Sequence, residues 1–528
     1  MGYPTTTTVQ LASPKVYLWP DGTKPPIDVS KWCAGFRCTK ALSQPTGQWS
    51  LTLLPYSTGR NMVRANDLPD LARLVRPNSL VSIGMEEAGG ICLGLVDQLP
   101  RTIRSGGPTV GYGFEISGSD FGKLLTTDNI INSNAIPATS GPDFLADVGR
   151  VVGEQNSLLH QLRAKFGPVS GAAGERGFYG ADLEDVINWV LREGPAAMQI
   201  PLVEAWGSTG RVGSIVKTLG SVTTWNQAKL FSTGVQDFQG NVWGFLKSIV
   251  DEDFYEIVID SRPYAAGPVS RPLPSVGRVP EIHLTVRPKP FDSKWLSGAP
   301  YFLPVSDSAP IGLTWETLKT RIDGAEHWRI PRSQILDEHL GISDADVMSY
   351  YCVAADHDLL SSPAAAAMGL FYPIVDLFAL QRAGLRAYQG RMSLASGDVI
   401  DADSNDLLQE AVARSDAENF RNRLFNWYRL AEYFESGTIT TVGRDRFRVG
   451  DPVYLPDHIH MRQTIPSKGV RFYCTSTTHS WQAGGAYTTS LQLQRGHNLA
   501  VVLRAKEDIL KAWKDSGVRH NGMMAVAR

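Results

Sequence analysis

Two runs near the C-terminus, Phe472–Trp481 and Ala486–Arg495, flank Gln482-Ala-Gly-Gly485. Runs rich in β-branched and aromatic residues on either side of a Gly-Gly turn specify an antiparallel hairpin. His479 and Trp481, two residues apart, fall on one face of it. The expected role of that pair is cross-strand packing against Tyr487 or Thr489. The same pattern recurs upstream. Val16–Trp19, Trp32–Phe36 and Gln48–Leu54 read as strands, with Gly47 in the turn before the last. Ser79–Ile83 and Ile91–Val96 are joined by Glu86-Glu-Ala-Gly-Gly90, a second hairpin. Gly111–Gly118 is a further strand, running into a helix from Ser119 with Asp120 near its cap. These are the marks of an antiparallel barrel or sandwich.

The stretch Asp237–Phe291 has its own order. Val242, Phe245, Leu246 and Ile249 lie at i, i+3, i+4 and i+7, one apolar stripe on a short helix. Asp251-Glu-Asp253 ends it. Phe254–Asp260 is β-branched and aromatic, a strand. A Pro-rich loop, Ser261–Val279, leads to Pro280–Arg287, where Ile282, Leu284 and Val286 alternate. A loop of that length is either a contact element or a surface excursion. Between the β-rich regions, residues 126–236 read as mainly helical. Asp143–Val148 and Ser157–Phe166 are helical, and Asp182 caps a helix with Leu183, Val186, Ile187, Val190 and Leu191 on one face. Farther on, His327–Pro331 and the end of Ile342–Val353 are strands. Asp406–Phe434 is the longest helix. Gly437–Val442 and Phe447–Leu455 are strands, and Arg504–Lys514 is a helix in the tail.

Of 528 residues, 43% are hydrophobic and 20% charged, which suits ordinary globular cores, and the length allows about three or four domains. The net charge of −2 offers no basic field for nucleic acid. Five scattered cysteines, an odd number, argue against a disulfide framework. Cys33 and Cys38 could be half a metal site, but no second Cys or His pair accompanies them, so reduced structural thiols are expected. The N-terminal residues lack a basic and an apolar region, so no signal peptide is expected. The most apolar window, Pro363–Leu380, is interrupted by Pro373 and Asp376 and is too short to span a bilayer.

Motifs for chemistry are sparse. His458 and His460 alternate, but Pro456-Asp457 makes a loop the expectation there, and no third ligand is near. Asp401–Asp406 starts like a calcium loop, yet Asp406 and Val412 stand where Gly and Glu are required. A helix N-terminal acidic cluster explains it better. Gly207–Ser214 lacks the Lys-Ser/Thr of a phosphate loop. Asp251, Glu252 and Asp253 are adjacent and read as solvated rather than as the paired carboxylates of a cell-wall hydrolase. No catalytic, cofactor-binding or metal residue is assigned, and no cofactor is expected.

Taken in order, several segments resemble the central hub proteins of phage tail baseplates, relatives of the hub half of type VI secretion spike proteins. These are Gly47-x-Trp-Ser-Leu-Thr-Leu53, Ile116-Ser-Gly-Ser-Asp-Phe121, Phe254–Asp260 with the strand ending Arg287-Pro-x-Pro-Phe291, and Ser343-Asp-Ala-Asp-Val347, where Ser349 stands in place of a common Asn. Phe371–Asp376 with Arg382-Ala-Gly-Leu-Arg386 is another. The fullest is Arg448-Val-Gly-Asp451 followed by Tyr473-x-x-Ser-x-x-His-x-Trp481 and Gly484-Gly-x-Tyr-Thr-Thr489 through Arg495-Gly496. The resemblance covers roughly residues 16–130 and 237–497.

It implies a β-rich α+β fold: two tail-tube-like antiparallel β-barrel domains, a helical insertion and a C-terminal β region. The expected divisions are an arm (1–15), a first barrel (16–130), the insertion (131–236), a second β domain (237–400), a long helix (401–436), completing strands (437–497) and a tail (498–528). It further implies a non-enzymatic virion protein, made in the host cytoplasm. A homotrimeric ring would adapt the six-fold tail tube to a three-fold spike and line the DNA exit channel. Expected partners are a hexameric tail tube or distal tube protein, the spike, baseplate wedge proteins and the C-terminus of the tape-measure protein, with DNA only in transit. The alternatives are a tail-associated peptidoglycan hydrolase with a hub-like anchor, whose candidate carboxylates would be Glu154, Glu175 and Glu184, and the hub of a contractile injection or secretion device.

Overall fold

The computed structural model describes, with short breaks, residues 13–54, 75–130, 240–263, 280–288, 328–355, 374–395 and 421–511, together with 217–218 and 229–230. The expected helices at 143–148, 157–166 and 182–191, the Gly207–Ser214 and Asp401–Asp406 segments, most of the helix from Asp406, the loop beyond Pro263, and Glu154, Glu175 and Glu184 lie outside the described residues.

The fold is β-rich α+β, built on one curled half-barrel sheet with few helices. The N-terminal strands are β1 (Lys15–Trp19), β2 (Ile27–Asp28), β3 (Cys33–Ala41), β4 (Gln48–Leu53), β5 (Leu80–Gly84), β6 (Cys92–Gln98), β7 (Arg101–Arg104) and β8 (Gly111–Asp120). Helix α1 (Gly122–Thr127) follows β8, and Asp120 Oδ1 accepts from the Gly122 N–H at 2.9 Å. Short strands β9 (Asn129–Ile130), β10 (Lys217–Thr218), β11 (Lys229–Leu230) and β12 (Gly240–Asn241) come next. β9 and β12 pair, so the chain leaves at Ile130 and is back beside it at Gly240.

Helix α2 (Val242–Ile249) buries the whole expected stripe, together with Trp243. Asn241 caps it, its Oδ1 accepting from the Gly244 N–H at 2.7 Å. The two expected strands, β13 (Tyr255–Pro263) and β14 (Pro280–Pro288), pair antiparallel, with β10 added in parallel to β14. α2 packs on α1, and β13 touches β6. All five β5 residues are buried.

The remaining elements are β15 (Trp328–Arg329), β16 (Ile335–Ile342), β17 (Tyr350–Ala355), β18 (Ile374–Val375), α3 (Leu377–Ala383), β19 (Ala387–Met392), β20 (Leu394–Ala395), β21 (Glu435–Val442), β22 (Pro452–Ile459), β23 (Lys468–Gln482) and β24 (Thr488–His497). β17, β18 and β19 form a small separate sheet, and β11 pairs with β20. Asp376, which interrupts the apolar window in the sequence, is the N-cap of α3, accepting from the Phe378 and Ala379 N–H groups. Among the described residues no helix is long and apolar enough to cross a membrane.

The large sheet has 14 strands, in the order β16-β21-β24-β23-β3-β4-β8-β6-β5-β1-β2, with β7, β15 and β22 attached beside this path. Strands from both ends of the chain thus share one sheet. Two apolar cores lie along it. The first contains Val16, Leu18, Phe36, Trp49, Leu51, Leu53, Val81, Ile83 and Ile116. The second contains Ile439, Val453, Leu455, Val470, Phe472, Cys474, Leu491 and Leu493.

Candidate functional site at the seam of the two cores

One strand joins the two cores. On one edge of β23, residues 468–473 pair with β22. On the same edge, residues 476–482 pair with β3. The change of partner falls at Cys474 and Thr475. There the backbone bonds to Asp451 and Gly450 on one side and to Leu42 on the other. A bulge between Cys474 and Ser476 marks the same point. It sets the phase of the side chains. Before it, Val470, Phe472 and Cys474 face the second core; after it, Thr477, His479 and Trp481 are turned inward against the first. A one-residue insertion is what moves the core-facing positions from even to odd without turning the strand over.

Around this changeover the residues of the longest motif converge. His479 pairs with Thr489 across the hairpin, and its Nδ1 lies 2.9 Å from Tyr487 Oη and 3.2 Å from Thr489 Oγ1. This is the packing role expected from the sequence. The Tyr487 hydroxyl donates to Asp445 Oδ1 at 3.0 Å, and Asp445 Oδ2 accepts from the Met85 N–H at 2.8 Å. Asp445 is only 2% exposed. Arg448 reaches the carbonyls of Asp445 and Gly90, the latter at 2.5 Å. The turn 443–451 therefore clamps the β5–β6 hairpin from the far end of the chain. Asp451, closing the Arg-Val-Gly-Asp segment, accepts from Trp328 Nε1 at 2.6 Å and from the Arg448 N–H at 3.2 Å. Phe36 stacks on Trp481 and tilts against Tyr487, each at 6.1 Å between ring centroids.

The N-terminal motif segments meet in the same way. Trp49 (β4) lies over Gly118 on the adjacent strand β8 and Gly94 on the next strand, β6; a Cβ at Gly118 would stand 2.0 Å from the Leu95 carbonyl and 2.5 Å from the Trp49 ring. Trp49 Nε1 donates to the Ser119 carbonyl at 3.2 Å, and the Asp120 N–H donates to the Gly47 carbonyl at 3.0 Å. Lys40 pairs with Asp120. Between these groups is a narrow cavity of about 40 Å³ lined by Lys40, Asp120, Cys92, Arg448 and His479, among others. Its wall is more apolar than polar, with Ile91, Leu93, Phe121 and Ile259 beside the charged groups.

All five cysteines are free and buried. Burial pushes the Cys33 thiol up to about 12, against a weaker opposing bond to the Gly35 backbone. His458 is in strand β22 rather than in a loop. Its ring bridges two carboxylates, Nδ1 to Glu338 at 2.8 Å and Nε2 to Glu435 at 2.7 Å. Pro456 is tolerated because it falls where the β22–β23 register is interrupted, between Leu455 and Ile459, so its missing N–H is not needed. Phe447–Asp451, expected as strand, is turn, and β22 starts at Pro452. Glu252 pairs with Lys247 at 3.2 Å, while Asp251 and Asp253 lie outside the described residues. Among the described residues no three His, Cys, Asp or Glu side chains are arranged to hold a metal. Glu435, 0% exposed, was not singled out in the sequence; its signal is an acidic residue opening a strand of otherwise inward Ile439 and Thr441.

The seam is sensitive to acid. Burial, and then the nearby Arg448 guanidinium, lower the His479 imidazole to about 3. Burial, against an opposing bond to the Arg495 carbonyl, lowers His497 to about 4. Both rings are neutral in the folded chain, whereas in the unfolded chain they take a proton near about 6.5. Their contribution to stability is therefore complete above that pH and is lost as the pH falls toward 4 and then 3. Urea midpoints measured from neutral pH downward are expected to fall through this window. His497→Gln, which cannot titrate, is expected to flatten the upper part of the fall; an unchanged pH profile in that variant would count against the assignment.

No family model matches the chain, and no curated protein matches it. Among solved structures it is similar to a tail protein from Neisseria meningitidis MC58, at 11% identity over 93% of this chain and 99% of that one, with a TM-score of 0.41. It is also similar to the 43 kDa tail protein of prophage MuSo2 from Shewanella oneidensis, at 10% identity over 91% and 96%, with a TM-score of 0.38. A third is an E. coli component of the type VI secretion system, described as structurally similar to the T4 bacteriophage tail proteins gp27 and gp5. There the identity is 7% over 89% of this chain and 74% of that one, with a TM-score of 0.33.

Proposed function

We propose that this chain is a structural protein of a phage tail, the central hub of the baseplate. The observation that carries the reading is the use made of the resembling motifs. Gly47, Trp49, Gly118, Asp120, Asp451, His479, Tyr487 and Thr489 all bond or pack strands to one another around the seam. Their chemistry is spent on holding strands to one another in one sheet, which is what a scaffold requires. In this reading three chains, each with two related units, close into a ring of six similar positions. The ring sits under the six-fold tube, presents a three-fold face to the spike and lines the DNA path. Wedge proteins would bind outside it and the tape-measure C-terminus inside, and the protein would reside in the virion tail with no catalytic role.

The test is the mass of the purified protein in solution, with negative-stain images of the same sample. A ring at three times the 57.8 kDa chain mass is the expected result. A monomer that stays monomeric with purified tube and spike proteins would overturn the hub reading, and cell-wall clearing by that monomer would decide for the hydrolase.

A further inference from the structure

The second core ends in a cluster of ionisable groups that the assembly role does not use. Glu435 (β21) sits between two histidines. Its Oε2 is bonded to His458, while its Oε1 accepts from the Met461 N–H at 2.6 Å and lies 3.9 Å from His460 Nδ1. His460 is buried, its side chain 0% exposed. His460 Nε2 bonds to the Gly496 carbonyl at 3.1 Å, so it carries the proton. Nδ1 takes the opposite role, accepting from the Arg462 N–H at 3.1 Å. The ring is thus held as one neutral tautomer, and its acceptor nitrogen closes the turn 460–462.

That turn is tied to the C-terminal segment whose described residues Ala500, Val501, Arg504, Ala505, Glu507, Asp508 and Lys511 are helical. The Arg462 carbonyl accepts from Arg504 Nη1 at 2.9 Å, and the Arg462 guanidinium lies 5.2 Å from the centre of the Tyr433 ring. The Tyr433 hydroxyl donates to Asp508 Oδ2 at 3.1 Å. A second proton on His460 cannot leave these bonds intact. Nδ1–H would face the Arg462 N–H, donor against donor, while Glu435 Oε1, 3.9 Å from Nδ1, is the nearby acceptor.

We infer that His460 is a proton-operated switch: neutral, it closes the 460–462 turn and docks the C-terminal helix; doubly protonated, it turns its Nδ1 proton to Glu435 and releases both. The groups facing it are Glu435 on β21 and His458 on its own strand, the latter leading to Glu338 on β16. His497 at the end of β24 faces it too, with Arg471 and Arg495 beside that ring. Burial favours the neutral ring and the Glu435 charge opposes that; the balance lies below the ordinary histidine range, so release belongs to acid rather than neutral pH.

The test is hydrogen–deuterium exchange of the full chain, corrected for intrinsic rates, from about pH 7.5 to about pH 4.5. Peptides over 498–511 are expected to exchange about tenfold faster at the acid end, beyond any change in peptides over β3 and β4, which report the general loss of stability. In His460→Gln the acid response of 498–511 is expected to vanish. Equal protection of 498–511 at both ends of the range in the natural chain would overturn the switch, as would an undiminished response in H460Q. Should H460Q not fold, Glu435→Gln removes the charge that favours the second proton, so its transition is expected at lower pH; an unmoved transition would likewise overturn it.

Discussion

Gly118→Ala is expected to destabilise the chain by about 3 kcal/mol, the upper end of ordinary overpacking. The new Cβ has nowhere to go. One neighbour, the Leu95 carbonyl at 2.0 Å, belongs to the backbone of strand β6, and the other, the Trp49 ring at 2.5 Å, is itself 2% exposed. Relief needs β4, β6 and β8 to move together, and these three carry the first core. The change is readable by urea unfolding followed through tryptophan fluorescence, since Trp49 is the residue pressed upon. Gly341→Ala is the matched control. It is also a strand glycine, but a Cβ there meets nothing within 4 Å. Its stability is expected to stay within about 0.5 kcal/mol. Equal behaviour of the two variants would refute the close-packing account of the Ile-Ser-Gly-Ser-Asp-Phe segment.

Asp445→Ala is expected to cost on the order of 3 kcal/mol, the penalty for removing one member of a buried charged network. The substitution leaves the Met85 N–H and the Tyr487 hydroxyl without their carboxylate acceptor. It also cuts a tie spanning 360 positions of sequence, so its effect should be uneven. The β5–β6 hairpin is expected to lose protection first, seen as new proteolytic cleavage between β5 and β6 before any cleavage in β21–β24. Tyr487→Phe removes one of the two bonds and should fall between Asp445→Ala and the natural chain. Its hydroxyl titrates well above the ordinary tyrosine range because of burial and then the Asp445 charge, so no pH dependence from this group is expected near neutrality. Uniform loss of protection over both cores would mean that Asp445 stabilises the whole sheet and does not clamp the hairpin.

The acid sensitivity of His479 and His497 and the proposed release at His460 can be separated. The former weakens folding as a whole, because those rings are buried in the sheet. The latter acts on one turn and one terminal helix.

Much of the local structure was legible. The apolar stripe of α2 follows from helical spacing alone, and α2 buries it. The β5–β6 and β23–β24 hairpins follow from Gly-rich turns between β-forming runs, and His479 meets Thr489 and Tyr487 because strand side chains repeat every two residues. These features rest on contacts between residues near in sequence, where periodicity and turn chemistry decide the outcome. Some local signals were overridden. Pro456-Asp457 reads as a loop, yet His458 is in a strand, because an interrupted register spares the proline. Asp376 reads as a break in an apolar run and is a helix cap.

What the sequence by itself determined is therefore the kind of chain this is: β-rich, turn-punctuated, with its strands, hairpins and short helix set by local propensity. What only the tertiary structure decided is how distant strands share one sheet. β23 exchanges β22 for β3 at a bulge, Asp445 reaches Met85, and His458 joins Glu338 to Glu435. Each of these is a pairing between segments far apart in the chain. A strand presents the same unpaired N–H and C=O groups to any partner, so nothing in its own residues names the one it will take. That choice is made by burying both cores at once, with Asp445, Tyr487 and His479 bonded to one another and to Met85 across the seam.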